Sequence, residues 1–226
     1  MNRIAKAVCA MWMQGKKTVA LTLKASRSIR FLGYGALMPQ NGLIQEFKNM
    51  LFVSTAYILL FILTFSFLMP VQSYFFNNLP LNISLLFLPH GVRILTIYLH
   101  GWRGIVYLMP GHVATYLLFE VGQGTEKNIG APALSIVASF LAVSIAFRTW
   151  KSHYSSNVAA HTWLILFAGA LASLGNGMGH ALLFGGQIDA TFATVTIGFM
   201  IGDISGLFFL IVVLVMVNRA LRRSRA

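Results

Sequence analysis

Five side chains in this sequence can pair or bind a ligand from within or beside apolar stretches: His90, Arg93, Glu120, His180 and Asp203. Arg93 falls in FLPHGVRILTIYLHGWRG, Phe87 to Gly104, and Asp203 falls in GFMIGDISG. A charged side chain at mid-bilayer costs about 2.5–3.5 kcal/mol on insertion scales, so each one needs a partner or water. Counted from Leu81 and Thr191, Arg93 and Asp203 each lie twelve residues into an apolar span. At 1.5 Å per residue that is about 18 Å along a helix. Opposite charges at one depth predict that the second and last spans are neighbours, with Arg93 facing Asp203. His90 is one turn before Arg93 and can share its face. Together the five residues form the candidate ligand-binding site or buried polar network.

Local chemistry sharpens the picture around each. Pro89 suits the first turn of a helix, where its missing N–H does no harm. Span 2 then divides into a broken or re-entrant entry over 81–88 and a helix proper, whose N-terminus offers free N–H groups to an anion. A continuous helix with a proline kink is the other reading. His180 lies in GNGMGHALLFGG, Gly175 to Gly186, where five glycines in twelve residues predict a tight connection or re-entrant loop on the outer side. Glu120 ends a span, where snorkelling to water accounts for it. His90, His180 and Glu120 can be drawn together as an outward-facing pocket, and their side chains suit several divalent ions. No two of them lie at i, i+4 on one helix, so no metal and no cofactor is expected. His112 and His161 read as hydrogen bonders between helices. His100, Trp102 and Arg103 read as interfacial anchors. Gly198, Gly202 and Gly206 form a smooth helix-packing stripe beside Asp203.

The elements that must position these groups follow from composition. Of 226 residues, 57% are hydrophobic and only 10% charged, against about 25% charged in a soluble domain. Six apolar stretches, at about 50–70, 81–100, 104–121, 131–148, 157–176 and 190–217, are each near the ~20 residues that cross a bilayer. Backbone polar groups in lipid must be satisfied internally, and the short alternating segments of a barrel are absent, so the spans are helices. The predicted fold is all-α: a polytopic membrane protein of six transmembrane helices. Residues 1–49 form a basic cytoplasmic or interfacial extension, 50–217 the transmembrane domain, and 218–226 a basic cytoplasmic tail.

The net charge is +12, and its distribution sets the orientation. Alternating six spans puts fifteen of the 17 basic residues on one side and only Lys127 on the other, with Arg93 inside a span. That asymmetry places both termini in the cytoplasm of a cell inner membrane. The basic residues follow apolar spans instead of forming a free basic, aromatic surface, so nucleic acid is not an expected partner. The lipid bilayer is one. Cys9 is the only cysteine, which excludes an internal disulfide. No cleaved signal peptide is recognisable.

PHGVRILTIYLHGWRG together with IGDISG resembles the first membrane-associated sensor domain family of bacterial signalling proteins. The matching positions are Pro89 and Gly91 in a Pro-x-Gly step, Gly101 and Arg103 in a Gly-x-Arg step, and Gly202, Asp203 and Gly206 in a Gly-Asp-x-x-Gly step. The likeness covers about half of the chain. It implies an integral membrane sensor. Members of that family carry more spans and a cytoplasmic output domain, so this chain would signal through a separate membrane or cytoplasmic protein.

The expected function is therefore a non-enzymatic membrane module, sensory or partner-anchoring, around a buried Arg/Asp site. The alternative is a small-molecule-binding membrane subunit of a transporter of the energy-coupling type. For that reading the small-residue docking step in span 1 would have to be Ser54, Thr55 and Ala56. Serine-hydrolase, zinc-protease and paired-aspartate signatures are absent, so no catalytic residue is assigned.

Overall fold

The computed structural model describes residues 42–76, 83–120, 130–149, 158–184 and 191–223. The predicted basic extension to residue 41 and the last three residues of the tail lie outside them. The described residues form six helices and no strand. They are α1 (Gly42–Phe75), α2 (Leu88–His100), α3 (Arg103–Thr115), α4 (Gly130–Thr149), α5 (Val158–Phe184) and α6 (Phe192–Arg223). A π-helical turn, Thr64–Leu68, lies within α1, and another, Tyr116–Glu120, continues α3. Four helices are long and apolar enough to cross a membrane: α1, α4, α5 and α6. α1 starts at Gly42, eight residues before the expected first span, so the end of the predicted extension is helical.

α2 is short for a reason visible in its surroundings. It packs against every other helix, most broadly against α6. Nine of its thirteen residues are buried, Leu88 to Ile94 and Thr96 and Ile97. A helix shielded from lipid on most sides need not be long or uniformly apolar. Its polar residues face protein, and its cost of burial is met by partners. Ile94 and Ile97 anchor it in a core with Leu108 of α3, Val143 of α4 and Leu207 of α6.

Two glycine devices fix α2 in place. At its C-terminal end Gly101 has φ 60° and ψ −135°, a backbone state in which a Cβ is strained. This turn folds α3 back on α2. Gly104 then lies so close that a Cβ there would meet Ile97 Cα and Thr96 O at 3.0 Å. α1 joins α3 through Ser54, whose hydroxyl donates to Tyr107 O at 2.8 Å and accepts from Gly111 N at 3.2 Å.

At the other end, residues 83–87 are not helical. Between the two readings of Pro89, the structure selects a broken entry followed by a helix from Leu88, with the proline in its first turn. The glycine stripe explains how. Its partner is this irregular segment and not the helix expected. A Cβ on Gly202 would clash with the Ser84 carbonyl, one on Gly206 with the Phe87 carbonyl, and one on Gly198 with the Ile83 side chain.

Irregular backbone at membrane depth is tolerated only when buried in protein and satisfied by it. Gln72 does part of this. Its Nε2 donates to Ile83 O at 2.7 Å and its Oε1 accepts from Leu85 N at 2.6 Å. Ser205 donates to Leu85 O, and Phe87 N donates to Gly202 O at 2.9 Å. Ser84 Oγ takes Leu86 N, and Phe87 O takes His90 N, each at 3.3 Å. One amide side chain and one face of α6 thus replace a helix ladder.

Candidate functional site

α2 carries His90 and Arg93 one turn apart on the face turned to α5 and α6, and the glycine stripe lets α6 bring Asp203 against them. All three side chains are sealed, with exposures of 0%, 2% and 0%. Arg93 Nη2 lies 3.7 Å from Asp203 Oδ1, and His90 Nδ1 lies 3.3 Å from Asp203 Oδ2. The arginine also contacts His90 Nδ1 at 3.2 Å and sits over the Phe87 ring, 5.6 Å from its centroid. The pairing expected between spans 2 and 6 is thus present as geometry, with His90 inserted as a third member.

Beyond these three, α5 and α4 complete the centre. Asn176 Nδ2 donates to Asp203 Oδ2 at 3.1 Å. Ser135 of α4 donates to Asn176 Oδ1 at 2.7 Å, which fixes the orientation of the amide. Ser173 Oγ lies 3.4 Å from His90 Nε2 and donates to Gly169 O at 2.9 Å. Four helices, α2, α4, α5 and α6, therefore meet in one hydrogen-bonded chain. Two of its atoms have no hydrogen-bond partner, Arg93 Nε and Asp203 Oδ1. Asp203 also sits beside the first turn of α2, where the positive helix terminus favours a carboxylate.

The other expected members are placed as follows. His180 is on α5, one turn beyond Asn176, half-buried and stacked on Phe199 with ring centroids 4.5 Å apart. The glycine-rich stretch around it is not the predicted connection, because α5 runs on through it to Phe184. Gly177 and Gly179 instead make room for neighbours: a Cβ on Gly177 would meet Thr196 O at 2.8 Å, and one on Gly179 would clash with Leu134. Glu120 ends the π turn after α3, and its side chain lies outside the described residues. Of the three residues drawn as an outer pocket, His90 faces inward to Asp203. Among the described residues no group of three His, Cys, Asp or Glu side chains is placed to hold a metal ion.

Two further histidines, His112 and His161, join helices. His161 Nδ1 meets the Tyr98 hydroxyl at 2.6 Å, linking α5 to α2. His112 stacks on Tyr57 of α1 at 4.1 Å, and its Nδ1 lies 3.1 Å from Leu108 O. Arg103 pairs with Glu46 at 2.8 Å, with the Tyr107 hydroxyl on the same carboxylate. An interfacial anchor by sequence, it is also a clamp between α1 and α3.

Asn176, Ser173, Ser135 and Gln72 were not singled out by sequence. A signal for the first three existed. Ser173 and Asn176 are three apart, and Ser135 and Ser139 are four apart, so each pair shares a helix face inside an apolar span. Gln72 had no such signal, since its partners are backbone atoms of an irregular segment.

No family model matches the chain, and neither a curated protein sequence nor a solved structure does. The likeness to the sensor family rests on its motifs alone.

Proposed function

We propose that this chain is a non-enzymatic integral membrane module with a sensory or partner-anchoring role, and that His90, Arg93 and Asp203 are its responsive centre. It would sit in a bacterial inner membrane with six spans and both termini cytoplasmic, an arrangement supported by the fifteen-to-one distribution of basic residues. The observation that carries the reading is the sealed contact of Arg93, His90 and Asp203. A buried ion pair adds little stability over apolar side chains of the same volume. Its presence at the junction of α2, α5 and α6 favours a centre that selects between arrangements.

The transporter-subunit reading has less support. The small-residue cluster in span 1 would be its docking step, but Ser54 is engaged with α3. Gentle purification of the whole chain with its bound proteins separates the two. A stoichiometric kinase, cyclase or other output protein supports the module. A pair of ATPases overturns it in favour of transport. The double variant Arg93→Met with Asp203→Leu should keep the fold and lose the output protein. Unchanged capture would reduce the centre to a packing device.

A further inference from the structure

We infer that the gap between His90 Nδ1 and Asp203 Oδ2 is a proton-binding site, and that a proton is the ligand to which the module responds. The second half rests on the sensory reading above. The first half rests on one atom asked to play two roles.

Nδ1 of an imidazole carries either a hydrogen or a lone pair. Arg93 Nη2, at 3.2 Å, only donates, so it requires the lone pair. Asp203 Oδ2, at 3.3 Å, only accepts when ionised, so it requires a hydrogen in the gap. The opposite ring nitrogen does not relieve the conflict. Nε2 faces Ser173 Oγ, and the ring also bonds the Gly169 backbone carbonyl, which only accepts, so Nε2 carries the imidazole hydrogen. Without a further proton, the Nδ1 and Oδ2 lone pairs face each other. One added proton bridges them, whichever of the two atoms holds it more tightly.

The unprotonated state has a ready partner. Asp203 Oδ1 and Arg93 Nε have no hydrogen-bond partner, and Arg93 Nη2 stands 3.7 Å from Oδ1. A movement of about 1 Å would bring that contact to charge-assisted hydrogen-bond length. With the proton bound, Asp203 is held by His90, Asn176 and Ser173. With it released, the carboxylate turns to Arg93, and His90 Nδ1 becomes a plain acceptor. One proton enters from water and one leaves, with no other reactant. Asp203 lies next to Gly202, on which the 83–87 segment rests, so the exchange acts on the contact between α6 and the entry to α2.

Groups on all the surrounding helices bear on this proton. α2 supplies Arg93 and α6 supplies Asp203. α5 supplies Ser173, Asn176 and, one turn on, His180. Tyr57 of α1, His112 of α3 and His180 lie within electrostatic reach of Arg93. α4 contributes uncharged Ser135 through Asn176.

The test uses the whole chain, labelled with ¹⁵N-histidine in phospholipid nanodiscs, followed by NMR between about pH 5 and pH 8, the range in which an ordinary imidazole titrates. One ring, identified by its loss in His90→Gln, should pass from the neutral Nε2–H tautomer to the proton-bridged form as pH falls. In Asp203→Asn the change should move at least tenfold towards higher proton concentration, because the anion that holds the proton is gone. Constant His90 signals in the unaltered protein would overturn the site without reliance on any variant, as would an identical transition in Asp203→Asn. Partner capture is measured on the same preparation. A titrating His90 in a protein that captures nothing supports the proton site and overturns partner anchoring, and the converse result does the reverse.

Discussion

Asp203 faces Arg93, His90, Asn176 and Ser173 inside the protein, and the consequences of changing it depend on what is left behind. Asp203→Ala would strand Arg93 and His90 in an apolar interior. It should cost about 3–5 kcal/mol in unfolding experiments in mixed micelles. Arg93→Met with Asp203→Leu, which removes both charges, should cost far less than either charge removed alone. If the two costs are equal, the pair does not interact. Asn176 holds Asp203 and is itself held by Ser135. A double-mutant cycle of Ser135→Ala and Asn176→Ala should give a coupling of about 0.6 kcal/mol, the mean for hydrogen bonds between membrane helices. Zero coupling would show that the link to α4 is unimportant. At this scale the sequence was plain about ions and faint about the neutral polar groups. A buried charge stands out because it is expensive, whereas a serine or asparagine in an apolar span is cheap enough to need no special partner.

Gln72 and the Gly198, Gly202 and Gly206 stripe act together as one element-level device, a seat for the non-helical entry to α2. Gly202→Ala places a Cβ against the Ser84 carbonyl, which is backbone and cannot rotate away. Gly198→Ala meets only the Ile83 side chain. The first should destabilise the fold markedly more than the second when unfolding midpoints are compared. Equal effects would mean that the 83–87 segment is not pressed on α6. Gln72→Leu leaves Ile83 O and Leu85 N without their partner and should cost about 1–3 kcal/mol per orphaned group. The sequence correctly marked these glycines as a close-contact stripe and Pro89 as a break. It assigned the stripe a helix as partner, because a glycine pattern specifies closeness and says nothing of what comes close. The opposite error occurred at Gly175 to Gly186. Glycines read there as a turn serve inside α5 to admit Thr196 and Leu134.

At the scale of the molecule, four helices among the described residues are long and apolar enough to cross a membrane, and α2 and α3 form a short hairpin among them. The proposed six-span arrangement with internal termini predicts a simple labelling pattern. Cys9, the only cysteine, should resist a membrane-impermeant maleimide in intact cells and react in inverted vesicles. Lys127→Cys, made in a Cys9→Ser background, should do the opposite. Labelling of both positions from one side would overturn the six-span topology and its orientation.

Length and apolar content were enough to specify helices and a membrane, because a bilayer imposes the same few constraints on any chain that enters it. The contact of Arg93 with Asp203 was anticipated by counting residues from Leu81 and Thr191, although that count took 83–87 as helix and the structure does not. Only the tertiary structure decided that α2 lies at the centre of the other five helices and that His90 stands between the two charges. Those outcomes depend on how side chains from distant segments fill one another's space, and no local periodicity encodes that.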